Sequence, residues 1–149
     1  MTIVRVTPVI RALEPVIWIV FGLAAAPSVA LWVWIARSLN IPQAFALACV
    51  IEATGVLASV AWQTASGIFV AAILVGGTFM GITALGLIQA RALATGDPRW
   101  LALMTGAFGL GQIVGPAFAG IVSDSLGRFT VPSITAAVAL LIAAALARN

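Results

Sequence analysis

Histidine, lysine and tyrosine are absent from this 149-residue chain, and cysteine occurs once, as Cys49. Without histidine, and with a single thiol, the donor sets of structural zinc sites and the usual nucleophile–histidine pairs are missing. The four carboxylates (Glu14, Glu52, Asp97 and Asp124) are too dispersed to suggest a metal cluster or an acid–base pair. Cys49 has no partner for an internal disulfide, and its apolar neighbours suit a small buried hydrophobe. We therefore assign no catalytic residue, no metal ligand and no cofactor, and expect no enzyme. Charge is the scarcest commodity: charged residues make up 7% of the chain, against roughly a quarter in soluble domains. All seven basic residues are arginines scattered along the chain, so nucleic acid, which needs a clustered basic face, is not an expected partner.

What fills the chain is apolar: 63% of it is hydrophobic, and no charge occurs in the 38 residues between Glu52 and Arg91. One crossing of a hydrocarbon core about 30 Å thick takes about 20 apolar residues, so this stretch holds most of two crossings. The expected fold is all-α: a polytopic membrane bundle of five transmembrane helices at about 15–36, 42–62, 66–93, 99–123 and 130–147. Residues 1–14 are expected to form an outward-facing tail. The polar cluster Gln63–Gly67 divides the uncharged stretch, with Ser66 as the expected cap of the third span. Gly96-Asp97-Pro98 spells a helix stop followed by an N-cap and a proline at the first helical position. Trp18, Trp34, Trp62 and Trp100 fall near predicted helix ends, where an indole ring sits at headgroup level. Trp32 lies one turn deeper.

Five spans put Arg37, Arg91, Arg99 and Arg148 on one side, and Arg5, Arg11 and Arg128 on the other. Outside the N-terminal tail that is four against one, which by the positive-inside rule makes the first side and the C-terminus cytoplasmic. The two tail arginines oppose outward placement of the tail. The expected location is the bacterial inner membrane.

Small residues concentrate in the third and fourth spans. Gly77 and Gly81 form a GxxxG pair with Gly76 beside it, and Gly111 and Gly115 form another, followed by Pro116. Helices in lipid associate by close backbone approach, so these residues predict packing faces; Pro116 adds a candidate hinge. Glu52 is the one carboxylate near the middle of a span. A charge there costs roughly 2.5–3.5 kcal/mol on insertion scales, so the side chain faces protein or water. It reads as a proton-coupling or substrate-contact residue, or as a neutral hydrogen-bonded acid between helices. Gln112 shares a helical face with Thr105, Gly109 and Pro116, and Thr78 shares one with Gln89. These stripes either line a cavity or supply interhelical hydrogen bonds. Gly109-Leu110-Gly111 has the wrong continuation for a dinucleotide-binding loop.

Three segments, Val75–Thr83, Arg91–Arg99 and Gly106–Pro116, resemble the YbfB/YjiJ-like branch of the major facilitator superfamily. Gly22–Ser28 and Gly120–Phe129 fit the same branch, so the resemblance covers nearly the whole chain. It implies twelve spans in two six-helix halves, a central path, and alternating access by rocking of the halves. The five predicted spans then resemble spans eight to twelve, a partial C-terminal half, and residues 1–14 are the end of a missing helix and its loop. A missing preceding helix would deliver the tail outward and reconcile its arginines with the charge rule. The loop Ala36–Asn40 keeps one basic residue, Arg37, but lacks the acid common there, and Asn40 stands where glycine is usual; asparagine tolerates the left-handed conformation.

The expected function is that of a C-terminal fragment of a secondary transporter, not transport-competent alone. Its expected partners are the lipid bilayer, a small-molecule solute with a proton as candidate coupling ion, and the missing N-terminal half. Gln112, Thr105, Thr78 and Glu52 are the candidates for the substrate path. Two other readings are a small multidrug exporter, whose intramembrane Glu would be in the first span, and a non-transporting membrane assembly subunit.

Overall fold

The computed structural model describes residues 13–94 and 97–148. They form six helices and, among the described residues, no strand: α1 (Glu14–Ala25), α2 (Ser28–Leu39), α3 (Ile41–Ala61), α4 (Ala65–Leu93), α5 (Pro98–Leu126) and α6 (Thr130–Leu146). The chain is an all-α membrane bundle. Together α1 and α2 make one 26-residue apolar span, while α3, α4 and α5 supply 21, 29 and 29 residues. Helix α6 is 17 residues long, the lower end of what crosses a bilayer. Most of the expected tail, residues 1–12, and Gly96 of the expected stop signal lie outside the described residues.

The first span differs from the unbroken helix expected at 15–36. It breaks after Ala25 and runs on to Leu39. Pro27 has no N–H to continue the ladder. The Ala25 carbonyl, at the end of α1, accepts a hydrogen bond from Ser28 Oγ at 2.8 Å, and Ser28 is fully buried. One carbonyl at the break is thereby satisfied from within the chain.

Capping follows local chemistry at the other starts. The Asp97 carboxylate accepts from the Arg99 N–H at 2.9 Å, with Pro98 as the first helical residue. Helix α4 is capped by Thr64, whose hydroxyl accepts from the Gly67 N–H at 3.3 Å, and not by Ser66. Ser66 instead shares a 3.0 Å hydrogen bond with Thr64. Helix α5 closes on Gly127 in the left-handed region, φ 65°.

Helix α4 is the centre of the bundle, packed against α1, α2 and α3, while α6 covers another side of α3. Ile17 of α1 meets Ile68 and Ala72 of α4 at one end. Trp32, Ala44, Ala48 and Leu85 fill the core toward the other, and Ala46 and Cys49 pack on Ala144 of α6. The alanines of α3 bring helix axes close where van der Waals packing holds helices together in lipid. Helix α5 packs lightly, chiefly on α4 and α6. Large apolar side chains such as Trp18, Ile113, Ile121 and Leu141 point outward, the surface a hydrocarbon solvent requires.

Two grooves establish the alternation of direction. One is lined by Leu39, Gln43 and Leu47 together with Leu141 and Arg148. The other is lined by Ile17, Ser59, Ile68 and Phe129. Starts of some helices thus meet ends of others, as short connections between antiparallel neighbours demand. Arg37, Arg91, Arg99 and Arg148 accordingly gather at one end of the bundle, and Glu14 and Arg128 at the other.

Candidate functional site

The seam between α3 and α4 brings two of the four path candidates together. Its register can be read from glycines. A Cβ placed on Gly86 would meet Phe45, and one on Gly55 would meet Leu74 and Val75. Antiparallel helices meeting at those two levels put Glu52 opposite Thr78, between the two levels and nearer that of Gly55. Both residues are near the centres of their helices. Thr78 is 2% exposed, and its hydroxyl donates to its own helix, to the carbonyls of Leu74 at 2.8 Å and Val75 at 3.2 Å. Glu52 Oε2 is enclosed and has no hydrogen-bond partner.

The other two candidates lie apart from this pair. Gln112 is exposed on α5, and so is Thr105, whose hydroxyl donates to the Leu101 carbonyl at 2.9 Å. Thr105 lines a groove of about 500 Å³ between α3, α4 and α5, with Phe45, Thr83, Gly86 and Met104 among its walls. Gln89 of α4 is half-buried. The two polar stripes therefore do not converge on one cavity among the described residues.

The glycines divide in the same way. Gly76 and Gly81 receive neighbours: Gly76 abuts the Phe21 backbone of α1, and Gly81 receives the ring of Trp32. Gly77 has open space where a Cβ would be, but its carbonyl accepts the Trp32 indole N–H at 2.8 Å. The Gly77–Gly81 pair is thus a socket for one tryptophan of α2. On α5, nothing stands within 4 Å of a Cβ at Gly111 or Gly115, and Pro116 is likewise exposed within the helix. Arg37 sits in the last turn of α2, exposed, beside the turn at Asn40.

Trp32 and Gly55 are the residues that sequence reading passed over. Trp32 could have been found from its depth, since an indole N–H inside a span must find an acceptor. Nothing local distinguishes Gly55 from the alanines around it.

A sequence model for the family described as "Uncharacterised MFS-type transporter YbfB" matches residues 2–148. The chain belongs to the major facilitator superfamily. No curated protein and no solved structure matches it. As a facilitator chain it is a multi-pass membrane protein whose family transports small solutes and is not a family of enzymes. Within this facilitator bundle, polarity inside the spans is confined to a few side chains, each with a definite place. Thr78 is buried in the α3–α4 seam and half-buried Glu52 turns Oε2 into an enclosed position, Thr83 and Thr105 are on the groove beside α5, and Gln112 is on the bare face of α5.

Proposed function

We propose that this chain forms the C-terminal part of a secondary transporter that moves a small solute across the bacterial inner membrane by alternating access. Helix α5 carries this reading. It is a full-length apolar helix with a polar stripe, Thr105 and Gln112, two GxxxG-spaced glycines at 111 and 115, and a proline at 116, yet it lies at the edge of the bundle. A solute path needs walls on both sides. The bare face of α5 is the surface on which the N-terminal half of the transporter would close, with Gln112 and Thr105 lining the path and Pro116 permitting the helix to bend. The chain by itself, with one wall, does not transport. The end bearing Arg37, Arg91, Arg99 and Arg148 is cytoplasmic, and so is the C-terminus.

Cysteine labelling in native membranes tests this, since those membranes hold whatever completes the path. Cys49 is first replaced by alanine, and Gln112→Cys and Leu110→Cys are made separately. At about 100° per residue, Leu110 lies on nearly the opposite side of α5 from Gln112. A membrane-impermeant maleimide is expected to label Gln112→Cys from the aqueous phase and to leave Leu110→Cys unmodified. Equal protection of both would mean that Gln112 faces lipid or packed protein, and would remove it from the path. Protection together with a stable stoichiometric complex after detergent extraction would favour an assembly subunit, for which the same bare face would serve as the docking surface.

A further inference from the structure

We propose that the middle of the α3–α4 seam is a proton-binding site, in which Glu52 is held as a neutral carboxylic acid that donates its hydrogen bond to Thr78 Oγ1. The proposal follows from hydrogen-bond accounting at one level of the bundle. Glu52 is eleven residues from the start of α3 and nine from its end, so the nearer end is about 14 Å away along the helix at 1.5 Å per residue. A carboxylate is an acceptor only, and inside hydrocarbon it requires donors. Among the described residues none is supplied: Oε2 is enclosed and unpartnered. The one polar group facing it is the Thr78 hydroxyl, which has a single hydrogen already directed to the carbonyls of Leu74 and Val75. Toward Glu52, Thr78 therefore presents lone pairs. Against a carboxylate that contact is repulsive. Against a carboxylic acid it is a hydrogen bond, closed by a small rotation of the Glu52 side chain.

No other ionisable group competes for the proton at this depth among the described residues. On α3 itself, Cys49 stands one turn away and is buried against α6. Helices α2, α4 and α6 all pack on α3. The charged residues they offer, Arg37 and Arg91, and Arg148 just past α6, are at helix ends. A proton that leaves Glu52 leaves a charge whose enclosed oxygen, Oε2, has no donor among the described residues, so ionisation favours entry of water into the seam or parting of α3 and α4. The site thereby links proton occupancy to closure of that seam. It is separate from the α5 stripe that would line the solute path, and it rests on the transporter reading only for the use made of the proton.

Infrared spectroscopy of the 149-residue chain in lipid tests the site without any transport measurement. The remaining carboxyls among the described residues, on Glu14, Asp97 and Asp124, are at or near helix ends and away from this seam. At pH 7 the expected spectrum has one protonated-carboxyl C=O band, absent in Glu52→Gln. Thr78→Val should move that band to the higher frequency of an unbonded acid, while Thr78→Ser should keep it in place. These two variants decide the matter even should Glu52→Gln fold poorly. Absence of the band at pH 7 in the parent chain would overturn the proposal, as would its indifference to both Glu52→Gln and Thr78→Val. Should the band be present while Gln112→Cys stays protected from the maleimide in native membranes, the transporter reading alone would fail.

Discussion

A tryptophan inside an apolar bundle needs an acceptor for its indole N–H, and in an unbroken helix backbone carbonyls are the acceptors at hand. Trp32 finds the Gly77 carbonyl at 2.8 Å, and its ring lies where Gly81 has no side chain. One residue thus joins α2 to the middle of α4 by a polar bond and by packing. Polar bonds between helices in lipid are worth about 0.6–2 kcal/mol, and loss of a large buried aromatic costs about 3–5 kcal/mol. Trp32→Phe should therefore lower the stability of the detergent-solubilised chain modestly, and Trp32→Ala or Gly81→Leu much more. The midpoint temperature for loss of the monodisperse peak in size-exclusion chromatography would read this order. An unchanged midpoint for Trp32→Phe would mean that the indole bond contributes nothing. The pairing was not legible beforehand: Gly77 and Gly81 announce close approach, but not that the visitor is a side chain from α2 and not a helix backbone.

At the scale of elements, the starts of helices were the most legible feature, because their signals are local. Asp97 and Pro98 cap and begin α5 as their chemistry dictates. The cap of α4 moved by two residues, from Ser66 to Thr64, because both offer a hydroxyl and sequence does not rank them. The break at Pro27 was hidden because a proline inside a span is tolerated wherever neighbours satisfy backbone groups at the break, as Ser28 does for the Ala25 carbonyl. Asn40 shows the opposite case, a residue readable in type but not in geometry. Among described non-glycine residues it alone has positive φ, 69°, and its ψ of 163° is extended and not left-handed helical. That region is almost reserved for glycine and costs about 1–3 kcal/mol, while the Asn40 side chain accepts from the Gln43 N–H at 3.0 Å to cap α3. Asn40→Gly relieves the strain and loses only a few tenths of a kcal/mol of capping, so it should raise the melting midpoint. Asn40→Ala keeps the strain and loses about 1 kcal/mol of capping, so it should lower it. Equal midpoints for the two variants would refute a strained turn.

For the whole molecule, composition foretold the solvent better than the contacts. A bilayer-facing helix and a helix awaiting a protein partner are equally apolar, so the edge position of α5 could not be read from its residues. Charge, by contrast, survives only where the chain meets water, and its asymmetry is a property of the assembled bundle. The folded chain gathers Arg37, Arg91, Arg99 and Arg148 at one end, with Glu14 and Arg128 at the other. Arginines in short loops resist translocation, and their bias sets orientation. Fused at the C-terminus, a fluorescent protein that matures only in the cytoplasm should therefore glow, and an alkaline phosphatase that works only after export should stay inactive. Replacing Arg37, Arg91 and Arg99 together by glutamine leaves, outside the N-terminal tail, Arg148 against Arg128. Orientation then loses its bias, and part of the population should display phosphatase activity. If the triple variant keeps the parent's orientation, the loop arginines do not set it, and the cytoplasmic assignment of that end loses its physical basis.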